Sequence, residues 1–190
     1  MTLAELLADA VRRLDRAHIP YMITGSVAST FYGEPRATRD LDIVIDPLAE
    51  TLTALVEGLL ADGYYVDRDA AFTALRERTQ FNVVGTEASK IDFIVRKERP
   101  FSREEFDRRR RADLLGTEAF IASAEDMILA KLEWSLPLDS ERQLRDVASM
   151  LDVTGDALDR RYIDRWVHAL GLEEAWRRVG GDDALGNQTR

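Results

Sequence analysis

Cysteine is absent from this chain of 190 residues. That absence excludes disulfides, thiolate zinc sites, iron–sulfur clusters and cysteine nucleophiles together. Histidine is almost absent too, and His18 and His168 lie far apart in helical contexts. We therefore expect neither a histidine metal cage nor a Ser-His-Asp triad. Any catalysis must use carboxylates, hydroxyls, lysine and arginine.

Lysine is the next scarce residue, because it occurs only at Lys90, Lys97 and Lys131. The chain has 26 basic residues, nearly all of them arginine, against 35 acidic ones, which gives a net charge of −9. This balance argues against a protein that coats nucleic acid through bulk charge. An enzyme that acts on RNA through one basic groove stays compatible with it.

Long apolar runs are also missing, and no segment approaches the roughly 20 residues that a membrane span needs. The start of the chain, Met1 to Glu5, lacks the basic segment of a signal peptide. These two features lead us to expect a cytoplasmic protein.

Hydrophobic periodicity predicts an α/β part over residues 1–120, a helical part over 121–180 and a polar tail over 181–190. The first part alternates amphipathic helices with short apolar strands, and all three tryptophans lie in the second. The charged stretch from Glu104 to Arg111 is predicted to be helical, with Arg108 to Arg111 on its solvated face. A role of these arginines in gripping RNA is the alternative.

Two carboxylates mark one of the predicted strands, Asp40 to Ile45. Side chains alternate between the faces of a strand, so Asp40 and Asp42 point the same way. Two like charges on one face repel each other unless a cation lies between them. Mg²⁺ or Mn²⁺, which prefer oxygen ligands, fit that arrangement.

A third carboxylate, Asp92, lies inside another apolar strand, where an ionised group is costly unless it is paired, at an edge or bound to metal. Three carboxylates on neighbouring strands can hold two divalent ions about 4 Å apart, a geometry that serves phosphoryl and nucleotidyl transfer. Upstream, Gly25-Ser26 follows a strand and opens a helix. Backbone N–H groups at such a helix start bind phosphate, and glycine allows close approach.

Together these motifs resemble the DNA polymerase beta type nucleotidyltransferase superfamily, with its Gly-Ser helix start, Asp-x-Asp strand and later acid at Gly25-Ser26, Asp40-x-Asp42 and Asp92. The fuller stretch from Gly25 to Ile43 is similar to minimal nucleotidyltransferases near the AbiEii toxin group. The resemblance covers roughly residues 20 to 152. It implies a nucleotidyltransferase-like α/β (α+β) fold, in which a mixed sheet is flanked by helices and followed by a C-terminal helical part.

In that group a later helix carries a lysine and is followed by a helix with an Arg-Asp pair, and Lys131 and Arg145-Asp146 match those places. The resemblance implies that Lys131 neutralises the triphosphate as a point charge. The alternative is a helix lysine whose stem packs while its amine reaches solvent, with Arg145 and Asp146 as surface charges.

The acids also have plain structural interpretations. Asp40 and Asp42 would be a cap and a surface ion pair with Arg36 and Arg39 as partners. Asp92 would form an ion pair with Lys90 or Arg96.

The leading hypothesis is a metal-dependent enzyme that moves a nucleoside monophosphate from an NTP to an acceptor. Asp40 and Asp42 would hold both Mg²⁺ or Mn²⁺ ions, and Gly25 and Ser26 would bind the triphosphate. Asp92 would hold the second ion and either act as base or orient the acceptor hydroxyl. The acceptor would be tRNA or a protein for a toxin with a cognate antitoxin, or a small molecule such as an aminoglycoside. An acidic protein mildly favours a polycationic drug. The rival hypothesis is a catalytically silent nucleotide- or partner-binding module of the same fold.

Overall fold

The computed structural model describes residues 1–34, 37–85, 89–136 and 140–181. Over its described residues, the chain divides into two compact units. The first unit comprises Met1–Val27 and Ala37–Ala122, and the second comprises Ala28–Arg36 and Ser123–Arg190. The domain boundaries at residues 120 and 180 stay a prediction, and positions 182–190 of the predicted tail lie outside the described residues.

Seven strands of the described residues form one sheet in the order β3-β4-β5-β2-β1-β7-β6. Two neighbouring pairs, β2 with β5 and β1 with β7, are parallel, and the other pairs are antiparallel. The strands are β1 Tyr21–Thr24, β2 Asp40–Ile45, β3 Tyr65–Val66, β4 Gln80–Val84, β5 Lys90–Val95, β6 Arg110–Leu114 and β7 Thr117–Ile121.

Helices alternate with these strands along the chain: α1 Leu3–Arg16, α2 Gly25–Tyr32, α3 Ala49–Ala61, α4 Arg68–Glu77 and α5 Pro100–Asp107. The first begins at a capping box, in which the Thr2 side chain accepts from the backbone of Glu5 and the Glu5 side chain accepts from the backbone of Thr2. The mixed sheet with its flanking helices confirms the predicted α/β fold class.

One face of the central strands forms the core of the first unit. In β4, β5 and β2 every second residue is buried, and Phe81, Ile91, Phe93, Leu41 and Ile43 are each at most 3% exposed. Helix α1 contacts β2, helix α4 contacts β4 and β5, and helix α3 contacts β3 and both of these helices. The alternate residues, on the opposite face, are exposed or half-buried over much of β4 and β5.

The prediction of a helix as far as Arg111 is wrong. Helix α5 ends at Asp107, and Arg110 begins β6, which pairs with β7. Leu115 and Gly116 between them have φ of 54° and 83°, and two successive left-handed residues are typical of a tight hairpin turn. The charged stretch hides this hairpin because arginine fits a helix face and an edge strand equally well.

The second unit is helical, with α6 Ala124–Ser135, α7 Glu141–Thr154, a 3₁₀ turn Gly155–Ala157, α8 Arg160–Leu170 and α9 Glu173–Arg178. Helix α6 contacts α7, α8 and α9. This arrangement confirms the helical part of the predicted fold class. Within the described ranges, no helix is long and apolar enough to cross a membrane.

A buried polar network joins α6 to α8. Asp126 is fully buried, and its carboxylate accepts a hydrogen bond from the Tyr162 hydroxyl and another from Ser123 Oγ at 2.6 Å. A buried carboxylate depends on such donors, because water cannot replace them.

Replacing Tyr162 by phenylalanine removes one of these donors. We expect Tyr162→Phe to lower the free energy of unfolding by about 2 kcal/mol, the usual value of a hydrogen bond to a charged group. Urea unfolding measures the loss, and Tyr65→Phe, at a residue 69% exposed, is the matched control. Equal stability of the two variants would contradict the role given to the network.

Candidate active site

The three predicted acids share one face of the sheet. Strands β2 and β5 run parallel in a register that sets Asp42 directly beside Asp92 and Asp40 beside Lys90. Because directly paired residues and alternate residues of a strand share a face, all four side chains emerge on the same side. The structure therefore brings together the carboxylates that the sequence placed on separate strands.

This carboxylate face, defined by Asp40, Asp42, Lys90 and Asp92, continues onto the neighbouring strands. In β1, Thr24 pairs with Asp42, and in β4, the exposed Asn82 pairs with Asp92. Thr24, Asp42, Asp92 and Asn82 thus form a polar row across four strands. Thr24 and Asn82 cannot be assigned to this row from the sequence, because the register between strands is needed to place them.

Lys90 is the cation of this face. Its Nζ donates to Asp92 Oδ2 at 2.9 Å, and the side chains of Lys90 and Asp92 are 36% and 13% exposed. The hydrogen bond to Asp92 is the largest influence that raises the pKa of Lys90, and the negative charges of Asp92, Asp40 and Asp42 raise it further. The pairing of Asp92 with Lys90, one of the two alternatives for this acid, is therefore present within the acidic face. Arg96, the other candidate partner, contacts Asp46 and Glu98.

The two carboxylate oxygens of Asp92 have different surroundings. Oδ1 is buried and has no hydrogen-bond partner among the residues that the structure describes. A buried carboxylate oxygen without a donor is costly, and a bound cation is one way to satisfy it.

Gly25 brings the predicted phosphate-binding turn against Asp42. Its φ is +64°, and a Cβ at this position would lie 2.0 Å from Asp42 Oδ2. Only glycine allows such an approach of the backbone to the carboxylate. Ser26 follows in the first turn of α2, so the two motifs meet at the end of β1.

Lys131 lies in the second unit, on α6, and is buried. Its Nζ donates to Asp146 Oδ2 at 2.7 Å and to Gln143 Oε1 at 3.0 Å, and the side chains of Lys131 and Asp146 are 7% and 14% exposed. The alternative of an amine that reaches solvent is therefore wrong, while Arg145 is exposed as a surface charge would be. The role of Lys131 in binding a triphosphate stays a prediction.

Two further points bear on the metal. Among the residues that the structure describes, no group of three or more His, Cys, Asp or Glu side chains is arranged so that it could hold a metal ion. The carboxylates of Asp40, Asp42 and Asp92 nevertheless supply the oxygen donors that Mg²⁺ prefers, and Asp92 Oδ1 has no hydrogen-bond partner among the described residues. The chemistry of these donors suits a divalent ion, but the three carboxylates are not arranged to hold one together, and the Lys90 ammonium already binds one oxygen of Asp92. Arg36, a partner in the ion-pair interpretation of Asp40 and Asp42, lies outside the described residues.

Comparison with known proteins connects this chain to one fold. No protein-family model matches it, and no curated protein matches it. Among solved structures it is similar to an antigenic nucleotidyltransferase-like protein from Paracoccidioides brasiliensis, with a TM-score of 0.61 and 15% identity over 97% of this chain and 92% of that one.

Two further solved structures have comparable likeness. ANT(2″)-Ia in complex with adenylyl-2″-tobramycin has a TM-score of 0.59 and 14% identity, over 92% of this chain and 99% of that one. The lincosamide antibiotic adenylyltransferase LnuA, bound to lincomycin, has a TM-score of 0.57 and 15% identity, over 81% of this chain and 99% of that one. The chain therefore has the nucleotidyltransferase fold.

Gly25 offers a direct test of the contact with Asp42. Gly25→Ala places a side chain in the left-handed region and against a carboxylate oxygen, and we expect it to lower the free energy of unfolding by about 3 kcal/mol. Gly63→Ala is the matched control, because Gly63 has φ of +82° but open space around the added Cβ. Urea unfolding should show a loss of only about 1 kcal/mol for the control. Equal losses would show that Gly25 does not lie against Asp42.

The buried pair in the second unit is tested by removing one partner or both. Lys131→Ala removes the ammonium that binds Asp146 Oδ2, and we expect a loss of about 3 kcal/mol in the free energy of unfolding. The double variant Lys131→Met with Asp146→Leu should recover most of it, since an apolar pair needs no compensation. A single variant as stable as the wild type would show that the pair contributes nothing.

Proposed function

We propose that this protein is a metal-dependent nucleotidyltransferase that transfers a nucleoside monophosphate from an NTP to an acceptor hydroxyl. The observation that carries the proposal is the register of β2 and β5, which sets Asp42 beside Asp92 with Asp40 on the same face. The nucleotidyltransferase fold supports it, and so does the contact of Gly25 with the Asp42 carboxylate.

Each residue has a definite task in this reaction. Asp40, Asp42 and Asp92 would hold Mg²⁺ or Mn²⁺, which neutralises the triphosphate and favours attack by the acceptor oxygen. The backbone N–H groups at Gly25 and Ser26 open α2 and would bind phosphate oxygens. Asp92 would orient the acceptor hydroxyl and accept its proton as the oxygen attacks the α-phosphorus. The bond from that phosphorus to the bridging oxygen breaks, and pyrophosphate leaves.

A cationic small molecule is the acceptor that we favour. The net charge of −9 and the exposed Asp40 would attract a polyamine drug to this face. ANT(2″)-Ia bound to adenylyl-2″-tobramycin and LnuA bound to lincomycin share the fold, and they suggest antibiotics as the first acceptors to try. Transfer to tRNA or to a protein, by a cytoplasmic toxin of the AbiEii-like group with an antitoxin partner, is the alternative acceptor chemistry.

The Lys90–Asp92 hydrogen bond favours a second candidate function. A face whose third acid is already neutralised suits a catalytically silent module that binds a nucleotide or a partner. Such a module would bind NTP without releasing pyrophosphate, so the two functions differ in one measurable product.

Mass spectrometry of acceptors decides between them. The wild-type protein is incubated with each NTP, Mg²⁺ or Mn²⁺, and aminoglycosides, lincosamides or tRNA in turn. We expect one acceptor to gain the mass of a nucleoside monophosphate, with release of pyrophosphate. NTP binding without either product for any acceptor would support the silent module.

Asp42 is the residue on which this activity should depend most. We expect Asp42→Asn to slow transfer by at least about a hundredfold, the usual loss when one charge-stabilising group is removed. The fold should persist or become slightly more stable, because one of the like charges on the face is gone. Asp69→Asn, at an exposed acid of α4, is the control and should transfer at the wild-type rate. A turnover for Asp42→Asn close to that of the control would remove Asp42 from the proposed metal site.

A further inference from the structure

We propose that Lys90 is the resident counter-cation of the carboxylate face, and that a divalent ion binds there by displacing the Lys90 ammonium from Asp92. The inference rests on the proposed function, since it takes the ion of that reaction as the competing ligand. It assigns to Lys90 a positioning role that neither the fold nor the motifs imply.

Lys90 lies among the acids on one face of the sheet. The residue pairs with Asp40 across the two parallel strands and precedes Asp92 by two positions, so its side chain emerges between acids on one face. Its Nζ lies 2.9 Å from Asp92 Oδ2. A compact ammonium with three donors is the protein group that best substitutes for a small cation among carboxylates.

The Lys90 ammonium binds one of the three acids that the metal ion would need. In the described part of the chain no three carboxylates are arranged to hold an ion together, although Asp40, Asp42 and Asp92 share a face. The hydrogen bond from Lys90 holds Asp92 in its present position. A metal ion that binds Asp92 therefore competes with the Lys90 ammonium, since two adjacent cations repel each other.

The exposure of the Lys90 and Asp92 side chains determines which of the two moves when a metal ion binds. The Asp92 side chain is only 13% exposed, while that of Lys90 is 36% exposed and sits on a long flexible stem. The ammonium can turn towards solvent at small cost, and the carboxylate cannot. Displacement of Lys90 thus frees Asp92 Oδ2 beside the buried Oδ1, which has no hydrogen-bond partner among described residues.

Binding of Mn²⁺ to the whole chain without nucleotide tests this exchange, with the bound ion measured by electron paramagnetic resonance. We expect Lys90→Met to bind Mn²⁺ roughly tenfold more tightly than the wild type, because the competing cation is gone. Lys90→Gln should change the affinity in the same direction, and Lys90→Arg, which keeps the charge and can keep the contact, should stay within about threefold of the wild type. Lys97→Met is the matched control, because it removes one exposed lysine just after β5 and should have little effect.

Thermal melting gives a second, opposite readout. In EDTA, Lys90→Met should melt below the wild type, since Asp92 loses the cation that compensates its charge. Saturating Mn²⁺ should raise the melting temperature of Lys90→Met by more than that of the wild type, as expected for tighter binding to the folded state. A structural lysine with no part in metal binding would lower stability and leave the Mn²⁺ affinity unchanged.

Two results would overturn the exchange. If Lys90→Met binds Mn²⁺ more weakly than the wild type, Lys90 supports the ligand instead of competing with the ion. If the affinity is unchanged, the ammonium does not occupy the metal position. Wild-type Mn²⁺ binding and nucleotide transfer distinguish the failures: where both persist, the proposed function stands and only the exchange is wrong. Absence of Mn²⁺ binding in every variant overturns the exchange and the metal-dependent function together.

Discussion

The structure depends on one electrostatic constraint, the placement of Asp42 directly beside Asp92 on adjacent parallel strands. Two carboxylates at the spacing of neighbouring strands repel each other, and the cost grows as Asp92 is withdrawn from water. The protein offsets that cost with the hydrogen bond from Lys90. On the side away from Asp92, the Asp42 carboxylate lies against the backbone of Gly25, which limits where it can move. In the proposed function, the remaining carboxylate oxygens of this face are the donors for the divalent ion.

Apolar side chains on the opposite face of the same strands fix the register that places Asp42 beside Asp92. There Leu41 lies beside Ile91, Ile43 beside Phe93 and Ile45 beside Val95, each at most 1% exposed. A slip of one residue would bury the acids and expose these apolar side chains, so the hydrophobic core enforces the pairing of the carboxylates. Burial of one face thus supplies the energy that brings like charges together on the other.

Strand periodicity was enough to predict that Asp40 and Asp42 share a face and that Asp92 lies within a strand, because both depend only on local alternation. The Gly25-Ser26 helix start was readable for the same reason. The adjacency of Thr24 and Asn82 to the acids could not be predicted, since it depends on registers between strands distant in sequence.

Lys90 sits two residues before Asp92, so alternation could have placed it on the acid face. The hydrogen bond itself needed the side-chain geometry. The hairpin of β6 and β7 was missed because its signal, the Leu115-Gly116 turn, lies outside the arginine run.

The central claim is that this face holds the divalent ion of a nucleotidyl transfer. A crystal structure with Mn²⁺ and a non-hydrolysable NTP tests it most directly, because the anomalous signal locates the ion and the electron density locates the Lys90 side chain. We expect an ion bound by the Asp42 and Asp92 carboxylates, phosphates at the start of α2 and the Lys90 ammonium away from Asp92. Manganese bound elsewhere, with the Lys90–Asp92 hydrogen bond intact beside a bound nucleotide, would contradict it.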